Sequence, residues 1–399
     1  MDTLMQQQID KAEEALLHTY NRYPVVLDHG EGVYLYDTAG KKYLDFGGGI
    51  AVNCMGYNDA RYKDALKLQI DRLMHTSNYF YNEPAIRAAS RLTTLTGMQK
   101  IFFTNSGTEA VEGALKAARK YAFLKDNTTD HEIIAFHHSF HGRTFGALSV
   151  TGTKSYRDPF EPLIGGIAFA TFNDLESVKA LVNKKTCAVI VEPVQGEGGI
   201  IPAISEFLQG LRALCDEEDL LLICDEIQCG AGRTGAFLAS TKYDVKPDIV
   251  TLAKGIGAGF PVGAFLLNEK VAKASLTAGD HGSTYGGNPL AAAAINATLD
   301  LFEEDHIIEH VTKIAPYMQN RMQALASAHD CCETVRGMGL MQGLSLKDVP
   351  ATEVTGRALS EGLILMSAGG NTIRFVPPLV IEEAHVDEMI EILNRCLPD

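Results

Sequence analysis

The sequence lacks the features of several protein classes. No hydrophobic run approaches the ~18 residues that a membrane-spanning helix requires. The first 20 residues are acidic and have no apolar core, so they do not resemble a secretory signal peptide. Basic residues are in the minority, because 35 Lys and Arg face 50 Asp and Glu, which gives a formal net charge of −15. That charge disfavours a nucleic-acid partner. We therefore expect a cytoplasmic protein, in which a few local arginines can still bind anionic small molecules.

Motifs of other enzyme classes are also missing. None of the eight cysteines has CxxC spacing, so we expect reduced thiols and neither a disulfide scaffold nor a zinc site. There is no GxxxxGK[ST] motif and hence no P-loop. A metal hydrolase could use His137, His138 and His141, but no HExxH glutamate accompanies them. The segment "GIGAG" lacks the third spaced glycine of a nicotinamide-dependent dehydrogenase, which makes that alternative weak.

The chain of 399 residues, with 46% hydrophobic and 21% charged residues, is long enough for two globular domains. Between residues 100 and 270, short apolar runs alternate with helical patterns, which predicts an α/β fold with a mostly parallel sheet. Only residues 255–261 separate its last two strands, so these two should run antiparallel. The predicted strands are "KIFFT", "EIIAF", "GIAFAT", "CAVIVE", "LLLICDE", "DIVTLAK" and "VGAFLLN", and the predicted helices are 108–125, 174–184 and 205–218.

The two ends of the chain differ from this central part. Residues 1–60 contain an amphipathic helix and a hairpin with turn residues Asp37 to Gly40. Beyond residue 286, long helices surround short strands near "VRGMGLMQGLSL" and "TIRFVPPL". We predict a large domain over 61–285 and a smaller α+β domain built from 1–60 and 286–399.

One lysine stands at a strand end with almost no side chains around it. In "DIVTLAKGIGAGFPVGAFLL", Lys254 ends an apolar strand and is followed by Gly255, Gly257 and Gly259. Glycines allow unusual turns and leave room beside the amine. A solvated surface lysine does not need this setting, so we interpret Lys254 as a candidate reactive group.

Other polar residues follow neighbouring strands. Ser106 is a predicted helix N-cap, with Glu109 placed as in a capping box. The same turn would aim the N–H groups of Gly107 and Thr108, and two hydroxyls, at an anion. A carboxylate such as Asp225, directly after buried strand residues, is costly unless it is paired. Asp225 could be paired with a neighbouring arginine, which would be a purely structural role. Alternatively, it could hold a ring nitrogen of a ligand in its protonated form.

These positions share one edge of the predicted sheet, the carboxyl ends of its strands, where ligands of open α/β sheets bind. A phosphate site, a buried acid and an isolated lysine together suit pyridoxal phosphate, which has a phosphate, a pyridine nitrogen, a phenolic oxygen and an aldehyde that condenses with lysine. Further candidates at strand ends are Phe140, Arg143, Glu192, Glu197 and Gln228.

A series of longer segments runs through nearly the whole chain: "YLDFGGGIAVN", "NSGTEA", "FHGRTFGALSVTG", "EPVQGEGG", "DEIQCGAGRTG", "LAKGIGAGFPVGA", "HGSTYGGNPLAAAA" and "VRGMGLMQG". In their order and content they resemble the class-III aminotransferases of fold type I. "HGRT" and "GSTYGGNPL" are similar to the acetylornithine and ornithine aminotransferase branch of that family. A non-catalytic binding protein on this fold is the remaining alternative, yet every chemical position is filled.

The resemblance implies a role for each matching residue. Lys254 would bind the cofactor's aldehyde and later carry the proton between substrate and cofactor, while Asp225 would pair with the pyridinium nitrogen. The other cofactor contacts would be Ser106, Gly107, Thr108, Phe140, Ile227, Gln228 and, from the partner subunit of a homodimer, Thr284.

The resemblance also implies how substrates bind. Arg143 would hold the α-carboxylate of an ornithine-type substrate, and Arg374 that of glutamate. Glu197 would cover Arg374 in the absence of glutamate, and Tyr20 would make an aromatic contact to the substrate. The expected reaction moves the distal amine of N-acetylornithine to 2-oxoglutarate, with ornithine, succinylornithine and 4-aminobutyrate as alternative donors.

Overall fold

The structure is a computed structural model that describes residues 3–398. Its helices are α1 (Thr3–Ala15), α2 (Gly48–Ala51), α3 (Ala60–Arg72), α4 (Glu83–Thr96), α5 (Gly107–Asp126), α6 (Phe145–Ser149), α7 (Lys154–Arg157), α8 (Leu175–Lys179), α9 (Ser205–Glu217), α10 (Glu269–Lys273), α11 (Pro289–Glu304), α12 (Ile307–Ser327), α13 (Ala351–Ser360) and α14 (Glu383–Cys396). Short 3₁₀ turns cover Asp158–Phe160, Ala239–Tyr243 and Lys254–Gly257.

The strands are β1 (Leu27–Glu31), β2 (Tyr34–Asp37), β3 (Lys42–Asp45), β4 (Lys100–Thr104), β5 (Glu132–Phe136), β6 (Ile167–Ala170), β7 (Thr186–Val191), β8 (Val194–Gln195), β9 (Ile201–Pro202), β10 (Leu221–Asp225), β11 (Ile249–Ala253), β12 (Gly263–Leu267), β13 (Cys332–Met338), β14 (Met341–Leu346), β15 (Leu363–Ile364), β16 (Met366–Ala368) and β17 (Thr372–Phe375).

All seven strands predicted between residues 100 and 270 form one sheet, in the order β4-β12-β11-β10-β7-β5-β6. Neighbouring strands are parallel except for β12, which pairs antiparallel with both β11 and β4. The predicted antiparallel pair is therefore confirmed. Strands β7, β10, β11 and β12 are buried along their whole length, as the continuous apolar runs indicated.

Helices cover both faces of this sheet. The predicted helices 108–125 and 205–218 are confirmed as α5 and α9, within one or two residues at each end. The prediction of a helix over 174–184 was too long, because α8 ends at Lys179. Asn183 then forms a turn, in which its side-chain oxygen accepts a hydrogen bond from the Lys185 amide. That local side-chain bond competes with the helix.

Two smaller sheets combine the ends of the chain. Strands β2 and β3 form the predicted hairpin, β1 adds to it by antiparallel pairing with β2, and the distant β15 pairs with β3 in parallel. The C-terminal sheet has the order β13-β14-β17-β16. One hydrophobic core contains residues from 33–55 together with residues from 301–397, so the two ends pack as one unit. No helix within residues 3–398 is long and apolar enough to cross a membrane.

Candidate active site

Nine of the predicted site residues line one cavity of about 420 Å³ at the carboxyl edge of the large sheet. They are Ser106, Gly107, Thr108, Phe140, Arg143, Asp225, Ile227, Gln228 and Lys254. They follow β4, β5, β10 and β11, whose carboxyl ends meet at this edge because these strands run in the same direction.

Lys254 is the residue directly after β11. Its backbone lies in the left-handed region, with φ +49°, which is uncommon for a residue with a side chain and is found often at functional sites. Within residues 3–398 its amine has no hydrogen-bond or ion-pair partner. Desolvation lowers the pKa of this amine from 10.5 to about 8, and the nearby charge of Arg374 acts in the same direction. The amine is thus much closer to its neutral, nucleophilic form than an ordinary lysine.

Asp225, the last residue of β10, is held by three donors although it is only 3% exposed. Its Oδ1 accepts hydrogen bonds from the Ile227 amide at 3.1 Å and from the Thr251 hydroxyl at 3.0 Å. Its Oδ2 lies 2.7 Å from Nδ1 of the buried His141. These contacts fix the position and orientation of the carboxylate. The alternative prediction of a structural arginine partner for Asp225 does not apply within residues 3–398.

Glu192 forms a second buried carboxyl beside this pair. Its two oxygens accept hydrogen bonds from the amides of Phe140 at 2.9 Å and Gly196 at 3.2 Å. Burial nevertheless raises the pKa of Glu192 from 4.5 to about 7, and the charge of His141 opposes that rise. Glu192 therefore joins the backbone that carries Phe140 to the loop that carries Glu197.

The N-terminus of α5 forms the anion-binding part of the cavity. Ser106 is the predicted N-cap, and its hydroxyl accepts a hydrogen bond from the Glu109 amide at 3.3 Å. The capping box is shifted by one residue, because Glu109 accepts from the amide and side chain of Asn105 rather than from the Ser106 amide. First-turn amides have no acceptor inside a helix, so those of Gly107 and Thr108 remain available for an anion.

Arg374 and Glu197 form a buried ion pair at the junction of the two domains. Arg374 lies on β17 and is 3% exposed, and its Nη1 donates both to the Glu197 carboxylate and to Gln228 Oε1, the latter at 3.2 Å. Burial alone would raise the pKa of Glu197, but the charge of Arg374 and its hydrogen bond outweigh it and hold that pKa below the ordinary value. The Nε of Arg374 is buried and has no hydrogen-bond partner among residues 3–398.

Arg143 has the opposite environment. It is exposed, and no carboxylate within residues 3–398 lies at ion-pair distance from it. Its guanidinium carbon lies 3.8 Å from the ring centroid of Tyr156 and 5.4 Å from that of Phe140. Contact with aromatic faces orients the guanidinium without using its hydrogen-bond donors, which stay free for a carboxylate.

Comparisons with known proteins agree with this site. The family described as Aminotransferase class-III matches residues 16–397. An acetylornithine aminotransferase of Clostridium acetobutylicum is 45% identical over 96% of this chain and 98% of its own length. The chain belongs to the class-III aminotransferases.

Solved structures share the fold of this aminotransferase. The ornithine aminotransferase of Toxoplasma gondii superimposes with a TM-score of 0.94 at 28% identity, covering 98% of this chain and 94% of that one. The N-acetylornithine aminotransferase of Stenotrophomonas maltophilia gives a TM-score of 0.84 at 35% identity, covering 97% and 98%. The predicted fold type I architecture is thereby confirmed.

The cavity of this aminotransferase fits pyridoxal phosphate, the cofactor of its family. It offers free helix amides for a phosphate, a fixed carboxylate for a ring nitrogen and a partnerless amine for an aldehyde. Two glycines in its walls are also packed so closely that a side chain at either position would clash with a neighbour. A Cβ on Gly107 would lie 2.8 Å from Ile227 Cδ1, and a Cβ on Gly142, where φ is +140°, would lie 2.3 Å from the Thr108 hydroxyl.

Four predicted residues are not among those that line the cavity. Arg374 contacts the lining residue Gln228 and pairs with Glu197, whereas Tyr20 and Thr284 lie farther away. Tyr20 is 70% exposed in the segment after α1, and Thr284 is exposed in the loop before α11. Asn78 holds that loop, because its side chain donates to the carbonyls of Ser283 at 3.0 Å and Gly286 at 2.9 Å. The roles of Tyr20 and Thr284 stay predictions.

Sequence reasoning missed three residues of the aminotransferase site. His141 was considered only as a metal ligand, yet it contacts Asp225, and no metal-binding cluster occurs in the described part of the chain. Thr251 points from the middle of β11 to the same carboxylate. Tyr156 lies 13 residues beyond Arg143, and no sequence signal connects the two.

Proposed function

We propose that this aminotransferase transfers the distal amine of N-acetylornithine to 2-oxoglutarate, giving N-acetylglutamate semialdehyde and glutamate, a reaction of arginine biosynthesis. The observation that carries the proposal is the contrast between two arginines. In the described part of the chain, Arg143 lines the cavity without an acidic partner, whereas Arg374 is neutralised by Glu197. The name of the Clostridium relative supports the same substrate.

A free Arg143 and a paired Arg374 suit two substrates that share one carboxylate, while only one of them has a second. Both carry a carboxylate far from the reacting amine, which Arg143 can bind through its planar fork. Only glutamate has a second carboxylate beside the amine that reacts, and Arg374 is the group that binds it. With N-acetylornithine, Arg374 would face a chain of methylenes, and the ion pair with Glu197 removes the cost of an unpaired buried charge.

Lys254 and Asp225 carry the chemistry. Pyridoxal phosphate, when bound, supplies an aldehyde that condenses with amines and a ring that accepts electrons from the substrate. The Lys254 amine, with its lowered pKa, would hold that aldehyde and would take and return the proton of the substrate carbon. The Asp225 carboxylate, fixed by His141 and Thr251, would keep the ring nitrogen protonated.

The remaining cavity residues position the cofactor. Ser106, Gly107 and Thr108 would bind its phosphate through the first turn of α5. Phe140 and Ile227 would hold its ring, and Gln228 would bond the phenolic oxygen.

The active unit in this proposal is a homodimer, in which Thr284 of one subunit contacts the phosphate in the other and Tyr20 contacts the substrate. The exposed position of Thr284 supports this, since it does not reach the cavity of its own chain. A cluster of exposed apolar residues supports a partner surface. It comprises Leu73, Met74, Tyr79, Phe80 and Tyr81, which are 47–96% exposed.

A panel of amino donors tests the substrate. Purified protein with pyridoxal phosphate is given N-acetylornithine, N-succinylornithine, ornithine or 4-aminobutyrate with 2-oxoglutarate, and the glutamate formed is measured. We expect N-acetylornithine to have the highest kcat/KM. A higher value for any other donor would overturn the substrate assignment and leave the family unchanged.

A further inference from the structure

A second arginine lies in the same row of the small sheet as Arg374. In the antiparallel pairing of β13, β14 and β17, Arg336 is opposite Gly343, and Gly343 is opposite Arg374. Directly opposite residues of an antiparallel sheet present their side chains on the same face. The two side chains therefore leave the same face of the sheet, separated by a position that has no side chain.

This row presses against the loop 196–200, which carries Glu197. Arg336 Nε donates to the carbonyl oxygen of Gly199 at 2.9 Å, while Arg374 bonds the Glu197 carboxylate. A Cβ on Gly343 would lie 2.9 Å from Cβ of Ile200, so only glycine allows the loop to approach this closely.

The backbone of loop 196–200 adopts an unfavourable conformation, which contacts with the surrounding structure must stabilise. Gly199 has φ +110°, and Ile200, a β-branched residue, has φ +57°. Positive φ is costly for a β-branched residue and persists where tertiary contacts enforce it. The Gly369 amide supplies one such contact, because it donates to the Glu197 carbonyl at 2.9 Å. Arg336 supplies the other.

Arg336 does not neutralise a carboxylate. Its remaining donors bond neutral hydroxyls, with Nη1 3.2 Å from Ser345 Oγ and Nη2 2.9 Å from Thr372 Oγ1. No acidic side chain within residues 3–398 is at ion-pair distance from it. The two hydroxyls belong to β14 and β17, so they fix the guanidinium to the sheet and aim Nε at the loop.

We propose that Arg336 is the positioning residue of the Glu197–Arg374 pair. It clamps the loop backbone at Gly199, so that the Glu197 carboxylate opens and closes over Arg374 by side-chain rotation alone. How easily the Glu197 carboxylate moves on and off Arg374 determines how well one cavity accepts both substrates. N-acetylornithine has one carboxylate and glutamate has two. The selectivity part of this inference rests on the proposed function, whereas the clamp itself does not.

Hydrogen–deuterium exchange tests the clamp on the protein with its cofactor. Arg336→Ala should raise the exchange of peptides covering residues 196–200. Arg357→Ala is the matched control, because Arg357 is another small-domain arginine that donates to a backbone carbonyl, that of Cys396 at 3.3 Å. The control should leave the loop unchanged. Unchanged exchange of the loop in Arg336→Ala would overturn the proposal.

Half-reaction kinetics test the consequence. With a loose loop, Glu197 covers Arg374 less well, so the ratio of kcat/KM for N-acetylornithine to that for glutamate should fall about tenfold in Arg336→Ala, the loss of roughly one hydrogen bond to a charged group. Adding Arg336→Ala to Glu197→Gln should lower the ratio no further, because both changes act through one carboxylate. Equal losses in both half-reactions, or additive losses in the double variant, would contradict a positioning role.

Arg336→Lys serves if the alanine variant does not fold. It keeps the charge but lacks the planar fork that bonds sheet and loop together. We expect the same two changes at smaller size, and their absence would equally overturn the proposal. A wild-type enzyme that does not use N-acetylornithine would refute the proposed function, while the exchange comparison would still decide the clamp.

Discussion

Lys254 combines a left-handed backbone with an amine that has no partner among residues 3–398, and both follow from its place at the end of β11. Because the pKa of this amine lies near 8 rather than 10.5, its neutral form is available at moderately alkaline pH. We predict that cofactor-free protein takes up pyridoxal phosphate at a rate that rises with pH and has its midpoint at about 8. Stopped-flow absorbance measures this rate. A midpoint near 10.5 would show that the amine is not desolvated.

Asp225 allows a matched test, since its three donors contribute to stability as well as to chemistry. Asp225→Asn keeps the volume of the side chain and removes its charge. We expect turnover to fall at least about 100-fold, taking one preorganised charge as roughly 3 kcal/mol, with thermal stability close to wild type. Asp225→Ala should lower both turnover and thermal stability, because buried donors such as the Thr251 hydroxyl are then left unpaired. Near-normal turnover in a folded Asn variant would refute the role.

At the scale of elements, the start of α5 is packed tightly against the loop after β10. A Cβ on Gly107 would contact Ile227 at 2.8 Å. Gly107→Ala should therefore push the Ile227 side chain into the cavity and weaken pyridoxal phosphate binding about tenfold. Adding Ile227→Val removes the nearest atom and should restore part of the affinity. Equilibrium titration of the cofactor decides this, and unchanged affinity in Gly107→Ala would contradict the packing argument.

The elements also show what a sequence can reveal. Strands such as β10 and β11 are predictable, because a short continuous apolar run bounded by glycine or charge is typical of a strand buried on both faces. The end of α8 is not, because the turn after it is held partly by a distant strand, through the hydrogen bond that the Asn183 side-chain amide donates to Glu132 of β5 at 2.9 Å. Two of the three partners of Asp225, Thr251 and His141, come from β11 and from the loop after β5, which only the tertiary fold brings close to the end of β10. The contact between Tyr156 and Arg143 depends on tertiary packing, which no local sequence pattern encodes.

For the whole molecule, the large-domain cavity and the small-domain Arg374 meet only when both ends of the chain fold onto the central sheet. The homodimer adds a second requirement. If Thr284 completes the partner's site, mixing an inactive Lys254→Ala chain with an inactive Thr284→Ala chain should restore some activity through one intact hybrid site. Activity of the mixture after subunit exchange is the measurement. With exchange demonstrated by mass-tagged subunits, a silent mixture would refute the shared site.

The exposed cluster that contains Tyr79 and Phe80 offers an independent check of the same assembly, and analytical ultracentrifugation provides the readout. Replacing both with serine should shift the protein toward monomer, because apolar area is lost from the partner surface. Wild-type protein that sediments as a monomer would exclude the homodimer directly.

In the proposed mechanism, Arg143 binds the carboxylate that both substrates share, and Arg374 binds the second carboxylate, which only glutamate has. The most direct test compares single-turnover half-reactions of Arg374→Ala with those of Arg143→Ala. We predict that Arg374→Ala slows the glutamate half-reaction at least about tenfold more than the N-acetylornithine half-reaction, since only glutamate uses that charge. Arg143→Ala should slow both. The double variant Arg374→Gln with Glu197→Gln, which leaves no charge of the pair unpartnered, should show the same selectivity. Equal losses in both halves for Arg374→Ala would contradict the account.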